Sequence, residues 1–235
     1  MRSFRSRKIA PALAALCFGL AAAGASVAQD LDMVAEEPPA APALAEELAD
    51  WVRVSGDNKG LPFAVVDKTA AEVRVYGADG LLLGTTPALL GEAAGDDATP
   101  GVGDRELSDI APEERTTPAG RFLAFYGPAT GGRRVLWVDY STAISLHPVV
   151  TSNPKERRLQ RLKSATVDDN RITYGCINVP RAFYRNVVQA AFKPAGGVVY
   201  VLPDTKPLTE VFPGLSLQHA QAEEPAAAGR QLAAW

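Results

Sequence analysis

The chain has 235 residues, 47% of them hydrophobic and 22% charged, with a formal net charge of −3. That balance fits a soluble globular protein of one good-sized domain or two small ones, with a real core. It excludes the basic footprint of a nucleic-acid binder, and 20 glycines with 18 prolines predict many turns.

The first residues read as a signal rather than as structure. Arg2, Arg5, Arg7 and Lys8 form a basic start, residues 9–23 are apolar and alanine-rich, and Ser26-Val27-Ala28 offers small residues before a cut. This pattern predicts a secretory signal peptide over 1–28 and a periplasmic or secreted product. The apolar run falls short of the roughly 20 residues a spanning helix needs, so no stable membrane span is expected after cleavage. Cleavage removes four basic residues and no acidic ones, taking the charge from −3 to −7, and it removes Cys17. Cys176 is then the sole thiol. In an oxidising compartment such a thiol is buried and inert, paired between chains, or kept for chemistry. One cysteine and two distant histidines make no metal-ligand set, so no metal site is expected.

Residues 29–60 are rich in Ala, Pro and Glu and read as a leader, with a short helix over 44–51. A compact domain is expected over 61–204. Residues 63–67 and 72–76 read as strands joined by Lys68-Thr69-Ala70-Ala71, and 81–85 begins a third. Residues 92–114 form a long acidic loop of the kind that lines sites, with one helical turn near 105–110. Strands follow at 122–126, 134–139 and 143–147, and Pro148 ends pairing beside His147. Residues 152–170 carry a basic cluster, read either as a solvated face or as a contact for an anionic substrate. Residues 180–192 form the clearest helix, with Pro180 at its start, Asn178 near enough to cap it, and an apolar stripe of Phe183, Val187, Val188 and Ala191. Residues 198–202 are a core strand, and 205–235 are an extension. The fold class that results is mostly β, with a helix after the Cys176 loop.

Cys176 has two features that favour its thiolate. It lies four residues before Pro180, near the expected positive end of a helix, and an imidazole could take its proton. His219 lies in the weak C-terminal stretch, whereas His147 sits at a strand end, so His147 is the candidate base. Gly175 allows close backbone approach, and the N–H groups around it and Cys176 are candidates for an oxyanion site. The competing reading is a buried cysteine acting as a small hydrophobe.

Thr173-Tyr174-Gly175-Cys176-Ile177-Asn178, the upstream Thr117-Pro118-Ala119-Gly120-Arg121-Phe122 and His147 resemble the L,D-transpeptidase (YkuD-like) catalytic domain, over about residues 63–202. The resemblance implies a sandwich-like β fold, Cys176 as acylated nucleophile and His147 as general base. It implies that Gly175, Thr173, Tyr174 and Asn178 form the oxyanion or substrate-positioning surround. The implied substrates are peptidoglycan stem peptides, with a peptide or protein amine as acceptor and no cofactor. Hydrolysis by the same thioester, as in a carboxypeptidase or amidase, and a catalytically weak wall-binding protein are the alternatives. Tyr174 stands where the family motif has histidine, Pro148 where a small residue is usual, and the 29 positions from His147 to Cys176 imply an insertion at 152–170.

Overall fold

The computed structural model describes residues 44–215. The expected signal peptide, most of the leader, His219 and the end of the extension lie outside them. The domain is mostly β, as the alternating patterns predict.

Ten strands are present among these residues: β1 (Phe63–Asp67), β2 (Glu72–Tyr76), β3 (Leu82–Pro87), β4 (Leu90–Gly91), β5 (Gly120–Ala129), β6 (Arg133–Asp139), β7 (Ile144–Pro148), β8 (Arg171–Thr173), β9 (Ile177–Val179) and β10 (Gly197–Val201). Eight of them form one sheet in the order β3-β2-β1-β10-β5-β6-β7-β9. The pairs β1–β10 and β7–β9 are parallel and the other neighbours antiparallel. β5 serves two neighbours in succession: residues 120–124 pair with β10 and residues 125–129 with β6. Just past β3, the backbone of Leu89 exchanges two hydrogen bonds with Asn178 of β9, at 2.8 and 2.9 Å. The two outer strands are thus tied to each other and the sheet is nearly closed. This leaves few open edge groups.

β1 and β10 are buried along their whole length, which explains their unbroken apolar runs. Their alternate residues serve two cores. Ala64, Val66, Val199 and Val201 face an interior shared with Val73, Leu136, Leu146 and Ile177. Phe63, Val65, Val198 and Tyr200 face a second cluster. Helix α1 (Leu44–Ser55) covers that second face. Its Leu48 and Val52 are fully buried there, and Phe212 and Leu215 join them. Thus part of the stretch read as leader and the start of the extension both pack on the sheet.

The expected helix over 180–192 is made of α3 (Arg181–Phe183), a π-helical segment (Tyr184–Val188) and α4 (Gln189–Phe192). Tyr184, Val188 and Phe192 are its buried line, and Phe183, Val187 and Ala191 flank it. A Cβ on Gly197 would meet the Phe192 ring at 2.4 Å, so that ring packs directly on the β10 backbone.

Helix α2 (Arg158–Arg161) lies within the basic 152–170 segment. Residues 92–119 form the long loop, with three short 3-10 turns rather than one helical turn. A buried lysine ties this loop to the sheet. Lys68 has no solvent exposure, and its Nζ donates to Gly95 O, to Asp96 Oδ1 at 2.8 Å and to Thr117 O at 2.9 Å. Asp204 Oδ2 lies 3.4 Å away and is also held by Arg171. Burial works against ionisation of Asp96. Lys68 outweighs it, together with bonds from Asp204 N, Thr205 and Lys206 N, and holds the carboxyl well below the ordinary range.

Candidate active site

The site is built on the parallel pair β7–β9. Ile144 and Leu146 of β7, and Ile177 and Val179 of β9, point into the interior core. Because side chains alternate along a strand, Ser145, His147 and Asn178 take the other face. The register sets Leu146 opposite Ile177 and His147 opposite Asn178. Cys176 is therefore carried to Ser145, with Sγ 3.6 Å from Ser145 Oγ and 3.6 Å from Ala143 O.

β9 also corrects the helix argument for Cys176. Four residues, three of them in β9, separate the cysteine from Arg181, and a strand rises about 3.3 Å per residue. A helix dipole fades within its first turn, so the helix is not what activates this thiol. Nor does Asn178 cap the helix. Pro180 is the cap residue, without a side-chain bond.

The activation comes from β7 instead. Burial alone would push the Cys176 thiol up. The nearness of His147, first, and then Ser145, through its backbone N–H and hydroxyl, bring it below its ordinary value. The thiol is half-buried and free of any disulfide.

The hydrogen bonds of His147 set the tautomer of its neutral ring. Nδ1 lies 2.9 Å from Pro148 O, a carbonyl that can only accept, so Nδ1 carries hydrogen. Nε2 lies 3.2 Å from Asn178 Nδ2. The orientation of that amide is set from its other side, where Arg158 donates to Asn178 Oδ1 at 2.9 Å. A guanidinium can only donate, so the atom facing it is the oxygen and the atom facing Nε2 is the NH2 group. Nε2 therefore presents a lone pair. Arg158 is itself paired with Glu156, so a chain of bonded groups runs from Glu156 through Arg158 and Asn178 to His147 and the Pro148 carbonyl. Pro148 lacks an N–H, but it supplies the acceptor that orients the ring.

The loop bearing the cysteine is stapled on several sides. Gly175 has φ +114°, and a Cβ there would stand 2.6 Å from both Ile144 Cδ1 and Thr116 O. This explains why a glycine is required. Its N–H donates to Thr173 Oγ1 at 3.1 Å, and the same hydroxyl donates to Cys176 O at 2.7 Å. The Gly175 N–H is thus already engaged, and the Cys176 N–H remains as the candidate oxyanion donor. Thr117 Oγ1 donates to Gly175 O at 2.8 Å and accepts from Gly91 N at 2.9 Å. The Tyr174 ring lies under the Arg115 guanidinium, 4.2 Å from its centroid, and Arg115 pairs with Glu92. Thr173, Gly175, Cys176, His147 and Asn178 therefore converge, while Tyr174 fastens the loop bearing Cys176 to residues 92–119.

Sequence reasoning missed Ser145 and Arg158, and it placed Thr117 in a motif without giving it a role. Ser145 is legible only as an alternate position of β7, and Arg158 is one charge in a basic cluster. Ser145 and His147 open onto a cleft of about 1150 Å³, also lined by Trp137 and Tyr140. Among the described residues no cluster of three or more His, Cys, Asp or Glu could hold a metal, and no helix is long and apolar enough to cross a membrane.

No family model and no curated protein matches the chain. Among solved structures it is similar to an L,D-transpeptidase from Mycobacterium smegmatis, at 18% identity over 60% of this chain and 58% of that one, with a TM-score of 0.36. It is also similar to an L,D-transpeptidase variant from Enterococcus faecium, at 17% identity over 59% and 48% of the two chains, with a TM-score of 0.35. A third is an L,D-transpeptidase from Xylanimonas cellulosilytica, at 14% identity over 60% of each chain, with a TM-score of 0.37. The aligned part spans less than two thirds of each of these chains.

Proposed function

We propose that the protein is a cysteine acyltransferase acting on peptidoglycan stem peptides in the cell envelope, after loss of residues 1–28. The observation that carries this reading is the pairing at the head of β7–β9. A thiol held below its ordinary pKa lies on the same face as an imidazole whose Nε2 lone pair is fixed by bonded neighbours. The sequence motif around Cys176 supplies the substrate class.

In the forward step the Cys176 S–H proton passes to His147 Nε2 as sulfur attacks the scissile carbonyl carbon. Asn178 Nδ2 must yield its place at Nε2, and it has a second acceptor, Cys176 O, at 3.5 Å. A C–S bond forms and the carbonyl oxygen takes up negative charge beside the Cys176 N–H. Collapse breaks the C–N bond, and the leaving amine, D-alanine, receives the proton from Nε2. An incoming amine then attacks the thioester, gives its proton to His147, and returns the thiolate as it forms the new amide. Water in place of the amine gives hydrolysis.

The test has two stages. A thiol-reactive carbapenem should add one covalent mass to the wild-type protein and none to Cys176→Ala. Incubation with disaccharide-tetrapeptides should then give cross-linked dimers by mass spectrometry. Released D-alanine without dimers would move the assignment to a carboxypeptidase. No adduct on the wild type would remove Cys176 as nucleophile.

A further inference from the structure

The cleft beside His147 carries an unusual set of charges. Four arginines line it: Arg133 and Arg134 from the start of β6, and Arg181 and Arg185 from the helix after β9. No aspartate or glutamate lines it, although the whole chain carries more acidic than basic residues.

These arginines differ from most of the others in what they touch. Seven of the described arginines are salt-bridged to a carboxylate. The four in the cleft are not. Arg134 reaches Tyr126 O at 3.2 Å and Arg185 reaches Asn186 Oδ1 at 3.1 Å, both neutral acceptors. All four are exposed. Unpaired guanidinium groups gathered in one concave wall focus a positive field and offer the planar, two-pronged geometry that carboxylates accept. By contrast, the basic segment at 152–170, where the sequence suggested an anion contact, directs Arg158 and Arg161 inward to Glu156, Asn178 and backbone carbonyls.

We infer that this cleft is the substrate groove and that it selects peptides bearing free carboxylates over their amidated forms. The inference rests on the proposed acyl-transfer reading and adds a chemical class to it. Arg133 and Arg134 stand on one element and Arg181 and Arg185 on another, four residues apart on one helix, so two carboxylates of one extended peptide can be held at once. Arginine charge then guides the peptide past Ser145 and His147, which share the cleft wall.

Binding is measured by calorimetry on the full chain carrying Cys176→Ala, which separates recognition from chemistry. The probes are a stem tetrapeptide with free carboxylates and the same peptide with its side carboxylates amidated. The acidic form should bind at least about tenfold tighter at low salt, and the gap should shrink as added salt screens the field. Arg181→Gln/Arg185→Gln and Arg133→Gln/Arg134→Gln should each remove most of the gap, whereas Arg157→Gln, an exposed arginine outside the cleft, should leave it intact. Matched circular dichroism melts establish that the variants fold. Equal affinity for the two peptides, or a gap untouched by both double variants, overturns the inference. Carbapenem labelling of the wild type is read separately. A wild type that labels while Cys176→Ala does not discriminate refutes the groove alone, and discrimination by Cys176→Ala with no labelling of the wild type refutes the acyl-transfer reading alone.

Discussion

Replacing Lys68 with methionine tests how the 92–119 loop, which braces the Cys176 segment, is held in place. The side chain is completely buried, and its ammonium serves three acceptors on the 92–119 loop. Methionine fills similar volume but donates nothing. Removing one partner of a buried ion pair costs about 3–5 kcal/mol. Asp96 keeps four other donors, from Asp204 N, Thr205 N, Thr205 Oγ1 and Lys206 N, which places the loss toward about 3 kcal/mol. For a domain of this size that is about 10 °C in Tm. The pH dependence has a definite sign. The Asp96 carboxyl is held below its ordinary value, so its share of stability is present above about pH 4 and is lost as pH falls through the folded value. The gap between wild type and Lys68→Met, from urea melts, should therefore narrow on acidification from pH 7 to pH 3. The same change frees Thr117 O, and Thr117 braces Gly175, so alkylation of Cys176 should also change rate. A gap below about 1 kcal/mol at pH 7, or one that widens in acid, refutes this account of the lysine.

Four further outcomes follow from the site. His147→Ala should slow acyl-enzyme formation by about 10²–10⁴, the range for a lost general base, as read by stopped-flow with a chromogenic carbapenem. Iodoacetamide alkylation of Cys176 should show its inflection below the ordinary thiol value of about 8.5, and His147→Ala should move it upward, because the imidazole is a principal lowering influence. Arg158→Gln should slow acylation about tenfold or more, in the manner of outer-shell partners that orient a ring. Nitrogen NMR of His147 should then show a mixture of ring tautomers in place of the Nδ1–H form. Gly175→Ala should destabilise by about 1–3 kcal/mol, since it combines a positive φ with two close contacts. Chemical denaturation measures that loss.

Most strands are readable from the sequence because their apolar residues recur at alternate positions or in unbroken β-branched runs. β9 is not, because Ile177-Asn178-Val179 is three residues long and lies between a loop and a helix-initiating proline. That omission placed Cys176 against the helix when its true neighbours are on β7. Charged residues were the other source of difference. Lys68 reads as part of a polar turn and Arg158 as part of a solvated face. Their burial depends on Asp96, Asp204 and Asn178, which lie 20 or more positions away. The cleft arginines are invisible for the same reason, since their pairs stand nearly fifty positions apart. Cys176 and His147 were legible by chemistry, as the one thiol beyond the signal and the one histidine in a patterned strand.

The position of β10 has a consequence for how the molecule is made. The last of the described strands lies near the middle of the sheet, between β1 and β5, and Phe63 meets Val198, 135 positions further along the chain. A chain stopped before residue 197 would leave two facing strand edges bare, each a template for association with another copy. The hairpins β1–β2–β3 and β5–β6–β7 can form early from local pairings. Their union must wait for a long loop to close, which favours slow refolding. A shortened protein lacking β10 should therefore aggregate rather than fold as a smaller domain, because the strand that joins the two halves of this sheet is made after the other nine described strands.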